Sequence, residues 1–350
     1  MKTAIYTKSE SSPELVERPI PEPGVGEALI RVHRCGVCGS DFAMTSGSPF
    51  DYPEGTALGH EYAGEVVALG AGCKNLALGD RVTALPLSSC GQCEACLAGT
   101  PMRCPQFAMM TGGFGEYVVI QERMAFKLPD NLSYEHGALI EPLASSLRGV
   151  RKLSIEPSTK IAVLGAGTIA AGAIFWAHHL GARDIVAIAR SRTGEALTQT
   201  VGASDFLQTG DKLSERVAKA LGGVPDIVIE GVGVPGMLQQ AIDLVRPEGT
   251  VLSLGGCNVG DTILPVVAMA KEVSLLFSMA YSVEDFRYTI ETLASKSKDL
   301  NDIADAMISD VIPLEALPER FTKMRTASSG GKVMVNPALK ESDDRSESPT

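Results

Sequence analysis

The stretch Lys160-Ile-Ala-Val-Leu-Gly165-Ala-Gly167-Thr-Ile-Ala170 decides the fold. Residues 161–164 are all apolar, as a strand covered on both faces must be. Gly165 permits a tight turn, Gly167 lets the backbone approach a pyrophosphate, and Ala170 is small enough for close helix–strand packing. Thr168 and Ile169 open the following helix, whose free N–H groups face an anion. A glycine pattern alone is equally a buried turn. Here strand, turn and helix follow in the order that a dinucleotide site needs.

The pattern continues downstream. Buried strands DIVAIA (184–189), DIVIEGVG (from 226), TVLSLGG (from 250) and VSLLFSM (from 273) alternate with helical stretches, one of them from about 236 to 245. Such alternation implies a parallel sheet with right-handed crossovers, the Rossmann doubly wound arrangement, over residues 151–280. The uncharged run 161–177 (IAVLGAGTIAAGAIFWA) is too short and too glycine-rich for a membrane span.

The end of the second strand selects the cofactor. A site for NAD places Asp or Glu there against the ribose hydroxyls. This chain reads Ala189-Arg190-Ser191-Arg192, with no carboxylate among them to repel a 2′-phosphate and two guanidiniums and a hydroxyl to bind one. NADP(H) is therefore expected over NAD(H). The competing reading makes both arginines solvated surface charges. Lys332 is counted with these cofactor residues.

Upstream, residues 1–150 are β-rich. Alternating runs ALIRVHR, EYAGEVVAL, DRVTAL and EYVVIQ lie between Gly, Pro and Asp, which predicts half-buried antiparallel strands in a small barrel. The fold class is thus α/β plus β. After Met279, Val283, Phe286, Ile290 and Leu293 recur at helical spacing and begin a return to the first domain, 281–340. The closing stretch KESDDRSESPT carries no large apolar side chain. Residues 341–350 are read as a disordered tail.

Cys90, Cys93, Cys96 and Cys104 interrupt the β-region. Four thiolates so spaced close a tetrahedron around zinc at about 2.3 Å per bond. A closed all-sulfur site has no position for substrate, so it holds structure and the chemistry lies elsewhere. Cys38, His60, Glu61 and Glu141 offer a mixed thiolate, imidazole and carboxylate set that leaves an open position on a metal. None of these four is diagnostic alone. Cys35 makes a CxxC pair with Cys38; quiet packing beside the ligand is the plainer reading.

With 350 residues, 45% hydrophobic, 21% charged and a net charge of −11, the chain has the size of two ordinary domains. The acidic balance argues against nucleic acid and against an anionic membrane surface. No apolar signal core follows the start, so a cytoplasmic location is expected, and the eight cysteines read as metal ligands rather than disulfides.

Taken in order, GVCGSD, GHEYAGEV, GDRV, the four-cysteine loop, EPLA and GAGTIA make the chain similar to the zinc-dependent medium-chain dehydrogenases/reductases, in their sorbitol (polyol) dehydrogenase-like branch. The resemblance runs from Lys2 to about Pro337. It implies a GroES-like catalytic domain built from both chain ends, with the Rossmann domain inserted. It also implies two zinc ions per chain, one structural and one catalytic. Cys38 and His60 would bind the catalytic ion, Glu141 as third ligand or close neighbour, and Glu61 in some states. A homotetramer or dimer is implied as well.

The reaction so implied is reversible hydride transfer between an alcohol and NADP+, with Ser40 relaying the proton. Relatives often continue that relay with a histidine where this chain has Ala43. Polyol-specific relatives carry an arginine just after the phenylalanine ending the last strand; here Leu276-Phe277-Ser278-Met279 stands. Phe42, Met44, Phe107, Met109, Met110 and Met279 would give an apolar, adaptable lining, or are ordinary packing residues. The expected substrate is an apolar or cyclic secondary alcohol or its ketone. The alternatives are a polyol, butanediol or amino-alcohol dehydrogenase and a catalytically silent scaffold protein.

Overall fold

The computed structural model describes residues 1–47, 51–295, 298–327 and 329–339; the expected tail lies outside them. The chain divides into two compact units. One holds Met1–Glu141, Ser282–Ala327 and the chain from Lys332 onward; the other holds Pro142–Tyr281 and the short stretch ending at Gly331. The division falls within one helix, Tyr134–Val150, between Glu141 and Pro142.

The first unit is built on a seven-stranded sheet. Its longest strand, Glu27–Gly36, pairs antiparallel with Glu61–Leu69, Tyr117–Gln121 and Lys332–Asn336. Arg81–Ala84 and Ala125–Lys127 extend the sheet on one side, and Ile308–Pro313 joins the other edge in parallel with Lys332–Asn336. In Glu27–Gly36, Ala28, Ile30 and Val32 are buried while Arg31 is exposed, as alternation predicts, but Leu29 on the second face is buried as well. Two register shifts, at Leu29/Ile30 and Val32/Arg34, bend this strand. Tyr62, Phe114, Phe321 and Leu58 fill the core between strands and helices.

The second unit is a six-stranded, wholly parallel sheet. Its spatial order is Asp205–Gln208, Asp184–Ala189, Lys160–Leu164, Ile227–Glu230, Thr250–Ser253 and Ser274–Phe277. The winding reverses beside Lys160–Leu164, between Asp184–Ala189 and Ile227–Glu230. In such sheets ligands bind at the carboxyl ends of the strands at that reversal, where Gly165 and Gly167 stand. The helices Thr168–His179 and Met237–Leu244 lie where the sequence places them. Trp176 is fully buried and donates from Nε1 to the Leu143 carbonyl at 2.7 Å. Truncating such a side chain typically costs about 3–5 kcal/mol. No helix among the described residues is long and apolar enough to cross a membrane.

Candidate functional site

Strand register assembles the first cluster. Gly36 pairs with Glu61 on one side and with Met334 on the other, and Cys35 pairs with Tyr62 and Val335. The last residues of Glu27–Gly36 therefore lie between Glu61 and Lys332. Cys38 follows two residues later, at the head of the short helix Gly39–Ala43. One metal-binding atom from each of Cys38, His60 and Glu61 falls within 4.8 Å of the others. His60 and Glu61 are 4% and 0% exposed.

Asp41 organises this cluster. Its Oδ2 accepts from the Cys38 N–H at 2.9 Å, which fixes the start of the helix. Its Oδ1 lies 3.3 Å from His60 Nδ1, at ion-pair distance rather than in an aligned hydrogen bond. That leaves Nε2 turned toward Cys38. Burial, the largest influence on His60, lowers its pKa, yet the charge of Asp41 and the neighbouring Cys38 carry it well above the ordinary histidine range. Ser40 Oγ stands 3.2 Å from Cys38 Sγ and 3.3 Å from His60 Nε2.

Glu61 has a second partner. Lys332 Nζ donates to Glu61 Oε1 at 2.7 Å and to the Val37 carbonyl at 2.9 Å. It also lies 2.6 Å from Glu61 Oε2, which accepts no aligned hydrogen bond. Lys332 is 2% exposed, so the residue expected at the cofactor has its ammonium engaged inside the first unit. Burial acts on Lys332 first and lowers its pKa, but the charges of Glu61, Cys38 and Glu141 outweigh it and raise the pKa. Gly36 makes room for the pair: a Cβ there would sit 2.0 Å from Glu61 Oε2. Glu141 is not in the close set of three, and reaches the cluster through its charge.

A cation suits this set. Asp41 Oδ1 pairs with His60 Nδ1 at 3.3 Å and Glu61 Oε2 with Lys332 Nζ at 2.6 Å, while one ligand atom each of Cys38, His60 and Glu61 lies within 4.8 Å of the others. A thiolate, an imidazole and a carboxylate together match zinc.

The four-cysteine loop forms a second such set, with all four sulfurs within 4.8 Å of one another. Cys90 and Cys96 are 3.9 Å apart, close to the ~3.8 Å edge of a zinc–sulfur tetrahedron with bonds of about 2.3 Å. Backbone N–H groups of Cys90, Gly91, Cys93 and Gln106 point at the sulfurs at 3.3–3.4 Å. Those of Gln92 and Cys93 draw Cys90 down to about 6. The backbone at Cys96 lowers Cys93, but desolvation and the neighbouring sulfurs push it up to about 11. The loop favours thiolates yet does not neutralise four of them, which a divalent cation would do. All eight cysteines are free of disulfides.

In the second unit Gly165 takes φ +117°, a conformation that an L side chain strains to adopt. A Cβ on Gly167 would meet nothing within 4 Å, so the turn has open room where a pyrophosphate would lie. Ala189 ends the second strand and Arg190 is exposed. The four residues 189–192 carry no carboxylate, but one stands close by. Glu195, three residues after Arg192, grips that guanidinium through both carboxylate oxygens.

Residues 24–130 match the family model "Alcohol dehydrogenase GroES-like domain", and residues 168–295 match "Zinc-binding dehydrogenase". The (R,R)-butanediol dehydrogenase of Bacillus subtilis is 33% identical over 93% of this chain and 96% of its own. The chain belongs to the zinc-dependent medium-chain dehydrogenases/reductases, in the polyol dehydrogenase-like branch. Sheep (Ovis aries) sorbitol dehydrogenase is 30% identical, with 91% of each chain covered. A solved protein from Sinorhizobium meliloti, described as a zinc-binding dehydrogenase bound to NADP, is 31% identical. It superposes with a TM-score of 0.84 over 96% of this chain and 99% of its own.

As a member of this family the chain is an oxidoreductase of the alcohol dehydrogenase type. Of the residues expected to line its substrate pocket, all but Met279 belong to the first unit. Phe42 packs on Phe321, ring centroids 4.5 Å apart, under the Arg325 guanidinium. Met44 is partly buried on the same core. Phe107, Met109 and Met110 are half-buried beyond the cysteine loop, where the Met110 carbonyl accepts from Tyr62 Oη. Met279 is 87% exposed in the second unit. Sequence reasoning passed over Asp41, although its place three residues after Cys38 is that of a helix-capping acid. It also passed over Glu195.

Proposed function

We propose that this dehydrogenase oxidises a secondary alcohol, apolar or cyclic, with NADP+, or reduces the corresponding ketone with NADPH. The Cys38, His60 and Glu61 cluster carries the reading, because it offers three ligands and leaves a position for substrate. Bound there, zinc would supply Lewis acidity to the substrate oxygen, and the nicotinamide would exchange the hydride. Cys38 and His60 hold the ion, Glu61 or Glu141 completes its ligand set, and Cys90, Cys93, Cys96 and Cys104 hold a second, structural one.

Ser40 Oγ, between Cys38 Sγ and His60 Nε2, takes the proton that the alcohol gives up. With Ala43 where a relay histidine would stand, the proton passes on through water or a cofactor ribose hydroxyl. Asp41 holds His60 so that Nε2 faces the ion. Gly165, Gly167, Thr168 and Ile169 receive the pyrophosphate; Arg190, Ser191 and Arg192 receive the 2′-phosphate.

Ser40→Ala is expected to lower turnover sharply while zinc content stays normal. Near-normal turnover would remove Ser40 from the mechanism. A panel of secondary alcohols, each with NADP+ and NAD+, tests the substrate; equal turnover of sorbitol and cyclohexanol would sink the apolar reading. A butanediol or polyol substrate is the second reading, favoured by the named activities of the relatives and opposed by Ser278-Met279 where polyol-specific relatives carry arginine.

A cytoplasmic homotetramer, or a dimer, completes the proposal. The oligomer is supported by exposed apolar side chains on the outermost strand Ser274–Phe277, where Phe277 is 60% exposed, and on the helix Pro265–Ala270, where Val266 and Met269 are 69% and 74% exposed. Light scattering on the purified protein tests it, and a monomer would reject it.

A further inference from the structure

The turn after the second strand of the parallel sheet carries both chemistries of cofactor selection, locked onto each other. Arg192 Nε donates to Glu195 Oε2 at 2.5 Å, and Nη2 donates to Oε1. The pair faces water unequally, with Arg192 61% and Glu195 21% exposed. It sits against the glycine turn: a Cβ on Gly194, between the two residues, would lie 2.5 Å from the Ala166 carbonyl oxygen. The Arg192 guanidinium is also 5.8 Å from the Phe206 ring on the neighbouring strand.

A guanidinium binds phosphate best through two parallel N–H groups. Glu195 already occupies one such edge of Arg192. A 2′-phosphate must then use the remaining N–H groups with a carboxylate a few ångströms away, or displace that carboxylate. Either costs free energy that Arg190 only partly offsets. A ribose 2′-hydroxyl is neutral and pays no such cost. Glu195 offers it the acceptor that NAD sites ordinarily take from Asp or Glu.

We infer that Glu195 is the cofactor-specificity determinant of this enzyme. Its carboxylate weakens the preference that Arg190 and Arg192 give to NADP(H), so that the site also accepts NAD(H). This rests on the dinucleotide reading above.

Calorimetric titration of the whole protein with adenosine 2′,5′-bisphosphate and with 5′-AMP tests it without any turnover. Glu195→Gln keeps an oxygen for Arg192 but removes the charge. It should bind the bisphosphate about five-fold more tightly, the size expected for one screened like charge, and 5′-AMP no more tightly than before. The gain should shrink in high salt. Arg192→Gln should do the opposite, losing the bisphosphate and keeping 5′-AMP, and opposite signs at two neighbouring positions exclude misfolding as the cause. If Glu195→Gln binds the bisphosphate no better than the natural protein does, the role of Glu195 is overturned while the dinucleotide site stands. If the natural protein binds neither fragment, the dinucleotide reading fails and this inference with it.

Discussion

Lys332 Nζ lies 2.6 Å from Glu61 Oε2, and the two side chains are 2% and 0% exposed. A buried ion pair adds little net stability, but losing one partner strands the other charge in a medium that solvates it poorly. Lys332→Met is therefore expected to destabilise the metal-free protein by about 3–5 kcal/mol. Adding Glu61→Gln to the same chain should recover most of that loss, because no charge is then left unpaired. Chemical denaturation of the four proteins in a double-mutant cycle reads the coupling directly. A single variant as stable as the natural protein would mean that water reaches Glu61.

Asp41 meets the cluster at two points, the Cys38 N–H and the His60 ring. Carboxylates that hold a ligating histidine typically contribute about 10–100-fold to metal affinity. Asp41→Asn preserves shape and an acceptor for the Cys38 N–H but removes the charge opposite Nδ1. Zinc affinity at the Cys38 site should fall within that range, measured by competition with a chromophoric chelator. A change under about three-fold would show that packing alone orients the imidazole.

What was legible in the chain was mostly local. The turn at Gly165 and the loop at Cys90–Cys104 each lie within fifteen residues, so spacing alone carries their geometry. The partnership of Glu61 with Lys332 spans 271 residues. It exists only because Gly36 pairs with Glu61 and with Met334 at once, a register that no spacing reveals. Glu195 was near enough to read, since its i,i+3 spacing from Arg192 already permits the pair, but it follows the residues that conventionally choose the cofactor. An apolar side chain such as Phe42, which packs on Phe321, serves a core as well as a pocket, so its place in the sequence does not separate the two roles.

Glu135 joins the head of the helix Tyr134–Val150 to the strand Glu27–Gly36 through Arg34 Nε, at 2.6 Å. Burial raises its pKa, but its own backbone N–H and Arg34 outweigh that and hold it below its ordinary 4.5. A carboxylate with a depressed folded pKa contributes stability above the unfolded value and loses it as pH falls through the folded one. Glu135→Gln should thus cost up to about 1 kcal/mol at pH 7, since both side chains are partly solvated. The difference should begin to shrink as the pH drops below the ordinary carboxylate value and vanish only below the depressed folded one. Melting curves of both proteins from neutral to acid pH check this, and a gap that persists in acid would assign the effect to packing.

Cys93 occupies one corner of the sulfur cluster, and its N–H also supports Cys90 at 3.3 Å. Cys93→Ser leaves three sulfurs and a poor fourth ligand for zinc, which binds thiolate far better than a serine hydroxyl. Zinc content should fall from about two ions per chain to about one, because the Cys38 site shares no ligand with this loop. The Gly99 carbonyl accepts from the Val283 N–H at 2.9 Å, so loosening the loop should reach the head of the helix Val283–Ala294. The expected order of failure is therefore thermal stability and subunit assembly first, with turnover per zinc-loaded chain nearly intact. Metal analysis, light scattering and kinetics on one preparation separate these effects. If turnover per loaded chain is abolished while assembly persists, the cysteine loop serves the reaction itself rather than the scaffold.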